Sequence, residues 1–167
     1  MSSRLPKQID PWRVSEQGLS YTGVVELFDF PRLAPLLTRL QGDVGYAFRF
    51  SRDGLGRPLV AGHVEATLWQ TCQRCSQPVA IPVDSDFQLV VVEGLDEAAA
   101  LDDALDPLMA DDAKINLLDL LEDELLLSLP VVARHEECQA WQYDDEPIAV
   151  EEEENPFRIL RKLKSTN

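Results

Sequence analysis

The spacing of apolar residues changes period along the chain, and each change marks an element. Residues 19–27 (LSYTGVVEL) are rich in β-formers and predict a first strand. Over residues 43–52 the alternation is strict. Val44, Tyr46, Phe48 and Phe50 share one face, while Gly45, Ala47, Arg49 and Ser51 share the other. Asp53-Gly54 follows as a hairpin signal in a loop that continues through Gly56. Residues 58–71 alternate again, with Val60, Val64, Ala66 and Leu68 inward and His63, Glu65, Thr67 and Trp69 outward. Residues 79–92 give a fourth strand, bent near Pro82, with Phe87, Leu89 and Val91 on one face. Short connections between these strands imply an antiparallel meander.

Helical spacing appears three times. Asp29-Phe30-Pro31 reads as a helix start, after which Leu33, Leu36, Leu37 and Leu40 fall on one face. Asn116 reads as the N-cap of a helix over residues 117–129, with Asp119 at the capping-box position and Pro130 as the stop. Asn155-Pro156 opens a last short helix running to residue 164. The expected fold class is α+β: a four-stranded antiparallel meander sheet with one or two packed helices and flexible acidic flanks. Residues 1–17 read as an arm with a short helical turn after Asp10-Pro11, and residues 18–133 as a single α+β domain. That domain contains an acidic loop at 93–112, and it is followed by an acidic linker at 134–154 and a basic amphipathic tail at 155–167.

Composition narrows the function. The chain has 167 residues, 45% of them apolar, enough to bury a core. No apolar run reaches the length of a membrane span, and the first residues lack the apolar stretch of a secretory signal. A cytoplasmic protein with no membrane partner is therefore expected. Three cysteines are too few, and too odd a number, for a disulfide scaffold.

The net charge of −15 is unevenly distributed. Residues 1–80 carry nine basic and seven acidic residues, residues 81–154 carry two and 23, and residues 155–167 carry four and none. The middle of the chain repels phosphates and attracts basic partners, and the tail does the reverse.

Two cysteine-bearing segments could combine. Cys72-Gln73-Arg74-Cys75 lies between two predicted strands, where a tight turn brings both sulfurs to one side. His135-Glu136-Glu137-Cys138 repeats the two-residue gap. Together they make a possible Cys3His site for one structural zinc; the alternative is reduced cysteines left in a hairpin. A redox role is disfavoured because the pair does not open a helix. Glu124 falls inside the apolar arc of the 117–129 helix and is expected to be a buried carboxylate with an arginine partner or a partner-binding role. Arg158, Arg161, Lys162 and Lys164 wrap the tail helix, a pattern that fits docking to RNA, to a partner groove or to the chain's own acidic flank. No phosphate loop and no nucleophile–histidine–acid arrangement is present, so neither an enzyme nor a small-molecule substrate is expected.

The order of DPWR, CQRCSQPV, INLLDLLEDELLLSLPVV, the His/Cys pair and NPFRILRKLK resembles the YceD family, the large ribosomal RNA subunit accumulation proteins. The resemblance implies a non-catalytic role in synthesis, processing or stability of 23S ribosomal RNA. In that family the first Cys-x-x-Cys pairs with later cysteines, and some members carry a fuller downstream set; here Cys138 with His135 stands in its place. Two routes follow. The chain binds ribosomal RNA or a pre-ribosomal particle through Arg49, Arg52, Arg57, Arg74 and the basic tail. Alternatively it is an acidic adaptor or chaperone for a basic ribosomal protein or assembly factor. A metal-dependent enzyme acting on RNA is disfavoured, since a Cys3His set leaves no open position.

Overall fold

The computed structural model describes residues 5–102, 104–110 and 113–141. The tail residues Arg158, Arg161, Lys162 and Lys164, and most of the acidic linker, lie outside them. The chain begins with β1 (Gln8–Ile9) and α1 (Pro11–Glu16), whose N-cap Asp10 accepts the Arg13 N–H at 3.1 Å. Pro11 suits the first helical turn, where its missing N–H costs nothing. Four strands follow: β2 (Ser20–Glu26), β3 (Asp43–Arg52), β4 (Pro58–Thr71) and β5 (Pro78–Val92). Each pairs antiparallel with the next.

The sheet departs from a four-stranded antiparallel meander. After β5 the chain crosses over through α2 (Leu95–Ala99) and returns as β6 (Asp106–Met109), which pairs parallel to β5. The main sheet therefore has five strands of mixed orientation, in the order β2-β3-β4-β5-β6. Part of the segment expected as an acidic loop is thus an edge strand. Its four residues are too few to show a period, and parallel pairing depends on a crossover that local pattern does not reveal. A second, two-stranded sheet joins β1 to β7 (Ile115–Asn116), so residues at the start of the chain pack with residues beyond its middle.

The helix expected after Asp29 is absent. Residues 27–36 instead form two short 3-10 turns, Leu27–Asp29 and Ala34–Leu36. Leu33 is fully buried, but Leu36 and Leu40 are exposed. Pro35 removes an N–H, and the N–H groups of Arg32 and Leu33 are bonded to Glu122 rather than within a helix. Thr38 N–H donates to the Trp69 carbonyl at 2.7 Å, drawing the chain along β4.

α3 (Leu117–Ser128) forms as expected. The Asn116 side-chain oxygen accepts the Leu118 N–H at 3.0 Å, and its amide donates to Asp119 at 2.7 Å. Leu117, Leu121 and Leu125 are buried against the inner face of the sheet with Phe48, Phe50, Val60, Val64 and Leu68. Ile9 and Val14 join this core and Leu5 packs against it, so the segment read as an arm packs onto the core from residue 5 onward. The pairing of β3 with β4 ends at Gly45–Glu65, while β4 and β5 run on together to Thr71–Pro78. The two longest strands therefore project beyond β3 as a ribbon, with the cysteine turn at its tip.

Candidate metal centre

Cys72 follows directly on β4 and is fully buried. The turn closes through Ser76 N–H to the Cys72 carbonyl at 2.9 Å and Cys72 N–H to the Gln77 carbonyl at 2.8 Å. Ser76 sits at φ 58°, the left-handed conformation that lets six residues reverse direction around two sulfurs. The segment after α3 then lies against this turn. Gln73 N–H donates to the Ala133 carbonyl at 2.8 Å, and Trp141 N–H donates to the Arg74 carbonyl at 2.7 Å. These two backbone bonds bracket His135 and Cys138 and bring them to the turn. Ala133 fills the space beside Cys72 and Val79 in a small apolar cluster of its own.

The ligand atoms of Cys72, Cys75, His135 and Cys138 all lie within 4.8 Å of one another. The Cys72 and Cys138 sulfurs are 3.8 Å apart, and the Cys75 sulfur is 3.4 Å from His135 Nδ1. A tetrahedral zinc with ordinary Zn–S and Zn–N bonds has S···S edges of about 3.8 Å and S···N edges of about 3.5 Å. The donor set and its spacing are thus compatible with a structural zinc. His135 Nε2 is 3.2 Å from the Pro78 carbonyl. A proton on Nε2 donated there leaves the Nδ1 lone pair facing the sulfurs, the outer hydrogen bond that orients a metal-binding imidazole.

The electrostatics point the same way. Burial works against charge on Cys72, but the backbone N–H groups of Cys75, Arg74 and His135 outweigh it and hold the thiol at about 5. Arg74 Nε donates to the Cys138 sulfur at 2.9 Å, and Nη2 reaches the His135 and Glu136 carbonyls, each at 3.2 Å. Its hydrogen bond to Cys138 pushes the guanidinium further up, so it stays charged. A zinc bound by three thiolates and one neutral imidazole carries one net negative charge, which Arg74 balances.

The other candidate residues are dispersed. Arg57 Nε donates to the Asp53 carboxylate at 2.6 Å, and Arg52 Nη1 donates to the Gly56 carbonyl at 2.7 Å, so both brace the loop between β3 and β4. Burial works against charge on Asp53, yet hydrogen bonds from Arg57 and Leu55 hold it below the usual carboxylate range. Arg49 is exposed on the outer face of β3. Arg74 lies past the far end of β4, whose fourteen residues span roughly 45 Å. The four arginines therefore do not form one patch.

Glu124 is only partly buried; burial first, then Asp123 and Asp106, push its carboxyl up. The fully buried carboxylate is instead Glu122. Its Oε1 accepts the Arg32 and Leu33 N–H groups at 2.6 and 3.0 Å, and its Oε2 accepts Arg32 Nε at 2.7 Å. Nothing within the helix could have signalled this, because the donors lie about 90 residues earlier.

The fold and site together define a small α+β protein in which a Cys3His cluster fastens the end of the chain's described part to the tip of a β-ribbon. A sequence model described as "Large ribosomal RNA subunit accumulation protein YceD" matches residues 60–164, a span that includes the whole cluster and α3. The chain belongs to the YceD family. The large ribosomal RNA subunit accumulation protein YceD of Haemophilus influenzae is 27% identical over 168 residues, covering 96% of this chain and 97% of that protein. No solved structure matches the chain.

Proposed function

We propose that this protein is a non-catalytic cytoplasmic factor that supports accumulation of large-subunit ribosomal RNA and acts by binding. The reading is carried by the cluster of Cys72, Cys75, His135 and Cys138, because four protein ligands complete a tetrahedron and leave no position for a substrate. The name of the Haemophilus relative supplies the direction. These four residues would hold one structural zinc, whose contribution is to the fold rather than to a reaction.

Direct binding to ribosomal RNA or a pre-ribosomal particle would use Arg49, Arg52 and the tail cations. The adaptor reading, in which the partner is a basic ribosomal protein or assembly factor, is favoured by a specific observation. Arg57 and Arg74 spend their guanidinium groups on Asp53 and on the cysteine cluster, and residues 81–154 hold 23 acidic residues against two basic ones. The test is complementation of a strain lacking the gene, scored by the ratio of large- to small-subunit ribosomal RNA, with affinity purification before and after nuclease. Restoration by the native chain and partners that survive nuclease are expected. A normal RNA ratio in the strain lacking the gene would overturn the function, and partners lost with nuclease would return the mechanism to direct RNA binding.

A further inference from the structure

We infer that the outer face of the sheet binds a lysine- or arginine-rich segment of a partner protein in extended form; this deepens the adaptor reading and rests on it. Val24, Gly45, Glu65 and Asp84 stand in one row across β2, β3, β4 and β5. Glu65 directly opposes Asp84, and like charges placed opposite each other in a sheet are unfavourable. No cation shares the row. His63, in the neighbouring row, is 2.9 Å from Asp86 and 3.9 Å from Asp84. Among the described residues no salt bridge reaches Glu65 or Asp43.

These groups line an open groove of about 500 Å³. Val24 is 58% exposed on one side of it, and Pro82 is exposed on the other. Gly45 keeps the floor low: a Cβ there would lie 2.6 Å from the Glu65 carboxylate oxygen and would force that side chain aside. Among the described residues, the cysteine–histidine cluster is the one set of ligand atoms close enough to share a metal ion. The carboxylates of Asp43, Glu65 and Asp84 are spread too widely for that. Their spacing suits cationic side chains whose methylene stems lie along Val24 and Pro82 while the charged ends reach the acids. The sign of the charge excludes a phosphate backbone as the occupant of this groove.

The test is fluorescence anisotropy with a labelled twelve-residue peptide of alternating arginine and serine, at about 0.15 M salt, where surface charges are screened beyond about 8 Å. Three full-length proteins are compared: the native chain, Glu65→Gln with Asp84→Asn, and a charge-matched control, Glu16→Gln with Asp29→Asn, both exposed and away from the groove. The groove variant should bind at least about fivefold more weakly and the control less than about twofold more weakly. Equal losses would overturn the inference, leaving only net charge. A tenfold gain on changing Arg158, Arg161, Lys162 and Lys164 to Ala would assign the groove to the chain's own tail and overturn the partner. An oligouridylate displaced by the peptide and weakened by the groove changes would do the same in favour of RNA. Thermal melting separates binding from unfolding, because removing opposed like charges should leave the midpoint unchanged or higher. The assay contains no ribosomal RNA, so its failure and a failure of complementation are told apart.

Discussion

The Glu122 carboxylate accepts the backbone N–H and the side-chain Nε of Arg32, at 2.6 and 2.7 Å, and joins α3 to the turns that follow β2. Glu122 is 2% exposed, whereas Arg32 is 50% exposed. A buried carboxylate is costly unless paired and hydrogen-bonded, and this one accepts three bonds. Arg32 also reaches Asp123 and the Asp119 carbonyl, so one residue grips two successive turns of the helix.

The two partners are therefore unequal under mutation. Glu122→Ala leaves the Arg32 and Leu33 N–H groups without an acceptor and should cost about 3 kcal/mol. Arg32→Ala keeps both backbone bonds and removes a half-exposed guanidinium, so its cost should be nearer about 1 kcal/mol. Urea unfolding of both variants measures the order, and a larger loss for Arg32→Ala would refute this account of the contact.

Chelation should act locally before it acts globally. Stripping zinc from purified protein, or Cys138→Ser, should expose the segment carrying Ala133, His135 and Trp141 to protease while the main sheet keeps its circular dichroism. Addition of zinc should restore protection to the native chain but not to the Cys72→Ser, Cys75→Ser variant. Native mass spectrometry that finds only the bare chain after gentle preparation would sink the metal assignment.

Glu124 gives a pH signature of definite sign. Its carboxyl is pushed above its ordinary value of 4.5, so the folded state holds the proton more tightly than the unfolded state. Its ionisation therefore lowers stability as pH rises from about 4.5 through the raised value. Glu124→Gln should stabilise the protein at pH 7 by under about 1 kcal/mol, since the group is partly exposed. The gain should vanish as pH falls below the ordinary carboxyl range. Denaturation curves of both proteins across that range decide it.

Gly62 faces Phe87 across β4 and β5, and a Cβ at Gly62 would clash with the Cζ end of the Phe87 ring. That ring also packs edge-on against Phe48 at 6.0 Å between centroids. Gly62→Ala should therefore cost about 1–3 kcal/mol through forced repacking. An unchanged thermal midpoint would mean that the ring moves away freely.

What the sequence made legible follows from where the determining contacts lie. β3 and β4 have the bounds that alternation assigns, because residues two apart must share a face once one face is buried. α3 begins after its N-cap Asn116 and stops short of Pro130 for equally local reasons. The four metal-site candidates meet because their two-residue gaps each suit one turn, although the backbone bonds from Gln73 and Trp141 that align them could not be foreseen. Leu33, Leu36, Leu37 and Leu40 have helical spacing but no helix, since the N–H groups of Leu33 and Thr38 go to Glu122 and Trp69, far away in the chain. The same distance hid Glu122 and made Glu124, which only occupies the apolar arc, look like the buried acid.

The pairing of β1 with β7 carries a consequence for biosynthesis. Gln8 finds its partner in Asn116, so the first strand leaves the ribosome 108 residues before the second exists. At about 5–20 residues per second that interval is roughly 5–20 s. Hairpin contacts from β2 to β5 are close in sequence and can form during the wait, whereas α3, the β1–β7 pair and the cysteine cluster close last. The nascent chain therefore presents an uncovered apolar sheet until its final third has been translated.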